Sequence, residues 1–250
     1  MNKVIAAIDN SAAAGPVLAA ALNLAPVLGA GVEAVQVSDE VGRTAGASAE
    51  SFKVPFRTVS GDPFEVLMEM VAGDDVVAVA MGTRGRRGGP RPAGHLALAL
   101  ASASDKPVLM VPPDAHPHGS LKRVVVAMNG TARRAPSIKR TVEVASSAGL
   151  DLIVVHVDDE ASIPLFSDQV QHETDAYARE FLARYCRGVP EARLELRIGD
   201  PAEEILAAAE MVAPDLLAIG WPHSSDPERG TVAREILDRS PTPVLLVAVA

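Results

Sequence analysis

Two stretches of this chain combine residue types that could hold a ligand, and each follows an apolar run. The longer is Gly82-Thr83-Arg84-Gly85-Arg86-Arg87-Gly88-Gly89-Pro90-Arg91-Pro92-Ala93-Gly94-His95, after which a helix pattern begins at Leu96. Glycine lets backbone N–H groups come close to an anion, and the first turn of a helix adds unpaired N–H groups at the positive end of its dipole. Four arginines deepen that positive field in a chain whose net charge is −9. A phosphate-bearing ligand fits these features; so does a solvated surface loop whose glycines only turn the chain. The shorter stretch, Asp9-Asn10-Ser11, puts a carboxylate at the end of a strand pattern.

Other chemistry has less to stand on. The single cysteine, Cys186, excludes an intramolecular disulfide framework and any Cys-rich metal site, which fits a reducing cytoplasm. Arg184 and Arg187 beside it would favour a thiolate, although an ordinary helix cysteine is the plainer reading. His116-Pro117-His118 sits in a proline-rich segment with no nearby Cys or acidic pair, a poor metal site. Asp158-Asp159-Glu160 admits Mg²⁺ but reads more simply as a solvated strand end. No Gly-x-Ser-x-Gly elbow and no Gly-x-x-x-x-Gly-Lys-[Ser/Thr] loop is present. Both halves of the chain are net acidic, which argues against a nucleic-acid partner, and no apolar run is long enough to span a membrane.

The chain repeats itself. Lys3-Val4-Ile5-Ala6-Ala7-Ile8-Asp9-Asn10-Ser11 aligns with Arg123-Val124-Val125-Val126-Ala127-Met128-Asn129-Gly130-Thr131. Gly61-Asp62-Pro63 then matches Gly199-Asp200-Pro201, and Lys106-Pro107-Val108-Leu109 matches Thr242-Pro243-Val244-Leu245. These anchors predict domains over 1–113 and 121–250, with a stiff linker over 114–120. The second copy carries an insert in which Val170, Tyr177, Phe181 and Tyr185 recur at helical spacing. The first copy has Gly42, Gly46 and small residues there, which predicts a short mobile loop.

Strands are predicted over 4–8, 32–37, 56–59, 76–81 and 108–111, alternating with helix faces such as Val17, Leu18, Ala21 and Leu22. Alternation of this kind calls for a parallel sheet covered on both faces. In such a sheet the ligand crevice lies at the carboxyl ends of the strands where strand order reverses, that is, after the first and fourth strands of each copy.

Both copies resemble universal stress proteins of the nucleotide-binding kind, in the tandem two-domain form. That family has a strand followed by Gly, two residues, Gly, nine residues, Gly and then Ser or Thr. Here Gly82 and Gly85 are in register, eight residues follow, and Gly94 is succeeded by His95 where the family has a hydroxyl. The resemblance implies two Rossmann-like, adenine nucleotide alpha hydrolase-like α/β domains, each a five-stranded parallel sheet with helices on both faces. It implies ATP or another adenine nucleotide, with Mg²⁺ as an accompanying ion, held by Asp9 and Val37 on the nucleoside side. Gly82, Arg84, Gly85, Gly94 and His95 would serve the phosphates. In the second copy the matching positions are Asn129, Val157, Gly220, Gly230 and Thr231, but only six residues separate His223 from Gly230, a loop too short to wrap a triphosphate. Trp221 would fill the vacated crevice. The resemblance further implies a cytoplasmic stress-response regulator whose last strands, over 108–111 and 244–249, pair as an intramolecular pseudo-dimer, with a homodimer of the whole chain also open. A non-binding interaction scaffold and a slow ATP hydrolase using His95 or Asp9 as base are the alternatives.

Overall fold

The computed structural model of the chain describes residues 1–38, 43–83, 95–117, 119–128, 135–158, 170–189, 191–222 and 229–249. The first half forms the strands Lys3–Ala7 (β1), Gly31–Val37 (β2), Phe56–Val59 (β3), Val76–Gly82 (β4) and Val108–Val111 (β5). Each lies within one residue of its expected bounds; the apolar residues of β1, β4 and β5 are almost all buried, whereas those of the edge strand β3 are only partly so. The second half repeats the series as Arg123–Ala127 (β6), Asp151–Asp158 (β7), Arg193–Ile198 (β8), Leu216–Pro222 (β9) and Val244–Val249 (β10).

Strand order is β3-β2-β1-β4-β5-β10-β9-β6-β7-β8, so the two halves share one ten-stranded sheet instead of holding two separate ones. Pairing within each half is parallel. The joint is antiparallel, with Val244 opposite Met110, Leu245 opposite Leu109 and Leu246 opposite Val108. The expected pairing of last strands is therefore present, and it removes two strand edges that would otherwise be open.

Helices cover both faces. Ala14–Leu24 (α1), Arg43–Ser51 (α2), Ala135–Ser147 (α5) and Val170–Tyr185 (α6) contribute to one core layer. Pro63–Val71 (α3), His95–Ala103 (α4), Pro201–Val212 (α7) and Thr231–Arg239 (α8) contribute to the other. The Gly-Asp-Pro signals act as read. Asp62 Oδ1 accepts from the N–H groups of Phe64 and Glu65, Asp200 Oδ1 accepts from those of Ala202 and Glu203, and proline follows in the first turn.

The expected loop after β2 is instead helix α2. Its small residues suit it to close packing: Ala45 and Ala49, one turn apart, are fully buried, and a Cβ on Gly46 would stand 3.3 Å from the Phe56 ring. The insert helix α6 forms as expected and buries Phe181 and Tyr185. It ends beside Cys186, which is buried among apolar side chains, and burial pushes its thiol up from 9.0 to about 11. The neighbouring arginines do not make it a thiolate.

This has a consequence for alkaline stability. The folded chain keeps the Cys186 proton at a pH where the unfolded chain has released it, so the group's contribution is complete below about 9 and falls away as pH rises toward about 11. Denaturant titrations across that window are expected to show a declining limb that Cys186→Ser flattens. Fast labelling of the native thiol at neutral pH would contradict the assignment.

Candidate functional site

In each half the order of strands reverses between the first and the fourth. A crevice opens at this point, beyond the carboxyl ends of β1 and β4 in the first half and of β6 and β9 in the second. Each has a volume of about 260 Å³. The linings correspond position by position through the repeat: Ile8 with Met128, Val35 with Val155, Val37 with Val157, Leu67 with Ile205, and Gly82 with Gly220. Because β5 and β10 run in opposite directions, the two crevices open on opposite edges of the sheet.

The first crevice brings together Asp9, Val37 and Gly82, which the sequence places far apart. Asp9 follows β1, and its Oδ1 accepts the Ser11 N–H at 2.9 Å, a local turn that fixes the carboxylate at the strand end. Ser11 Oγ in turn accepts the Ala13 N–H at 3.3 Å just before α1, and Asn10 Oδ1 accepts the Ala45 N–H of α2 at 3.0 Å. The Asp-Asn-Ser stretch thus ties two helices to the crevice rim. The walls are apolar, from Ile8, Val35, Leu67, Met81 and Leu96. Asp9 is the only titratable side chain among the described lining residues. Helix α4 begins at His95, so its N-terminal end meets the crevice at Leu96 and Ala97. Arg84, Gly85 and Gly94 lie outside the described residues, as does the His95 side chain.

In the second crevice Val157, Gly220, Gly230 and Thr231 come together, while Asn129 lies outside the described residues. The expectation for Trp221 is overturned. The crevice stays open, and the indole turns away from it into the core between the halves, where Nε1 donates to Ser102 Oγ of α4 at 3.2 Å. Trp221 shares a face of β9 with Ile219, which does line the crevice, so it is the bond to Ser102 and the packing around the indole that take it out of the lining. Gly230, at φ 71°, leaves room for it; a Cβ there would lie 3.1 Å from the ring.

Sequence reasoning did not single out Leu67, Ile205 or Leu96 as crevice walls, although their places in the repeat carry that signal. It also passed over His156, buried on β7 against the Phe181 ring at 4.8 Å. Its Nδ1 donates to the Met128 carbonyl at 2.7 Å, and its Nε2 lies 3.1 Å from Asp158 Oδ1. The Asp158 carboxylate offered as a cation ligand is thus engaged by a histidine. Asp159 and Glu160 lie outside the described residues.

A family model described as the universal stress protein family matches residues 41–112 and 120–248. The match takes in Gly82 and all the second-half positions but stops short of Asp9 and Val37. No curated protein sequence is significantly similar. Among solved structures, a universal stress protein from Archaeoglobus fulgidus DSM 4304 is similar at a TM-score of 0.64 and 17% identity, covering 99% of this chain and 98% of that one. A functionally unknown protein from Pseudomonas aeruginosa PAO1 is similar at 0.69 and 14% identity, covering 100% and 93%. At such identities the likeness is one of fold.

Proposed function

Since the chain belongs to the universal stress protein family, we propose that it is a cytoplasmic stress-response regulator that binds an adenine nucleotide in its first crevice. One observation carries this reading: Asp9, Val37 and Gly82 converge on a single apolar slot at the switch point of the sheet. The slot suits a flat base held between aliphatic walls, with the Asp9 carboxylate placed to accept a ribose hydroxyl. Its volume of about 260 Å³ suits base and sugar and leaves the phosphates to the N-terminal end of α4. Gly82, Arg84, Gly85, Gly94 and His95 would serve the phosphates there, and an accompanying Mg²⁺ would offset part of the phosphate charge. The second crevice matches the first in volume and in lining, which favours a subsidiary site for the same nucleoside through Asn129, Val157, Gly220, Gly230 and Thr231.

Native mass spectrometry of the freshly purified full chain, followed by calorimetric titration with ATP and AMP, tests this. Asp9→Ala removes a charged hydrogen-bond acceptor and is expected to weaken binding about ten- to a hundredfold. Absence of both a nucleotide-sized adduct and binding heat would leave the scaffold reading. Steady phosphate release abolished by His95→Ala would instead establish the hydrolase.

A further inference from the structure

The two outermost strands of the sheet are β3 and β8, and among the described residues neither has a neighbour on its outer side. An open edge presents unpaired N–H and C=O groups to any strand able to match it. We propose that β8 is the surface through which a second copy of this chain docks, by antiparallel pairing of β8 with β8, independently of nucleotide.

The residue pattern carries the argument. The Gly199 N–H bonds to the Asp158 carbonyl of β7, which sets the odd-numbered backbone groups of β8 toward β7. The N–H and C=O groups of Leu194, Leu196 and Ile198 therefore face outward. Antiparallel pairing with a second copy must match these residues with one another, so its centre falls on a residue and not between two.

Centred on Glu195 the pairing sets Glu195 against itself, and centred on Arg197 it sets arginine against arginine. Centred on Leu196, Leu194 meets Ile198 and Leu196 meets Leu196 on one face, while Glu195 meets Arg197 twice on the other. Those charged pairs occupy the sites where no backbone bond forms and side chains come closest. Arg193 then faces Gly199, which has no side chain to resist it.

Supporting this, Ile198 is 54% exposed, high for a strand isoleucine, and it becomes covered in this register. Within the chain, Arg197 already lies 3.2 Å from Glu195 and 3.5 Å from Glu204, which orients both charges beside the edge. The opposite edge fails the same test. Outward-facing groups on β3 belong to Phe56 and Thr58; pairing centred between them sets Arg57 against Arg57, and pairing centred on Phe56 or Thr58 opposes no unlike charges.

Sedimentation of the full chain over a concentration series is expected to show a species of twice the 26.0 kDa chain mass. Leu196→Pro removes an N–H that no strand within the chain uses, so the fold is kept while self-association weakens at least about tenfold. Arg197→Glu is expected to weaken it similarly, and adding Glu195→Arg to that variant to restore it. Hydrogen exchange should show the amides of Leu194, Leu196 and Ile198 becoming protected as concentration rises. A chain that stays monomeric up to its solubility limit would overturn the proposal. So would a dimer that persists in both single variants with those amides exchanging freely.

Discussion

Trp221→Ala is expected to lower the free energy of unfolding by about 3–5 kcal/mol, the range for removing a fully buried large side chain. Trp221 is the largest such side chain in the molecule, with 1% of its surface exposed. Its indole fills space between β9, α8 and the first half, so its loss leaves a cavity that rigid strands cannot close. Two further contacts go with it: the bond to Ser102 and the Arg234 guanidinium 5.1 Å from the ring. Ser102→Ala alone leaves the buried indole N–H without its acceptor and is expected to cost about 1–3 kcal/mol. Urea denaturation followed by circular dichroism is the appropriate measurement, because the substitution also removes the only tryptophan. A loss below about 1 kcal/mol would mean that the indole is not the packing element described above.

Met110→Asp should be as damaging, for an electrostatic reason. Met110 is fully buried on β5 opposite Val244, at the joint where the halves meet. A carboxylate there has no described cation to pair with and must either ionise in an apolar layer or take up a proton. Uncompensated buried charges typically cost about 3–5 kcal/mol. Met110→Leu, which conserves volume, is expected to stay within about 1.5 kcal/mol of the parent. Comparing the two variants near neutral and at mildly acid pH separates charge from shape. The aspartate variant should recover part of its stability on acidification, whereas equal losses at both pH values would assign the cost to packing.

The sequence carried the order of elements well because its strongest signals are local. Val76 to Ala80 is an unbroken apolar run, and Asp62-Pro63 caps and starts a helix by chemistry confined to three residues. It carried α2 poorly because that helix is built largely of Ala, Gly and Ser and has none of the large apolar side chains that make periodicity visible. Ala45 and Ala49 are buried all the same, and Gly46 between them faces Phe56 from a later strand. Trp221 was misplaced for a related reason, since the partner that holds its indole, Ser102, lies 119 residues away in the other half. Asp9, Val37 and Gly82 were legible as crevice residues through the family resemblance, and the apolar walls were not, because an aliphatic residue lining a crevice looks like any other core residue.

The antiparallel joint between β5 and β10 also bears on how the two halves were linked into one chain. Since β6 runs parallel to β10, it starts at the edge of the sheet where β5 stops. Residues 112–122 need cross only β10 and β9 to reach it, roughly 14 Å at ordinary strand spacing. A tether this short holds the partners at an effective concentration in the millimolar range. Dilution therefore cannot part this interface, and a cell cannot use its dissociation as a signal, as it could with separately made single-domain subunits. Any response of this protein to its own abundance has to come from another edge of the sheet.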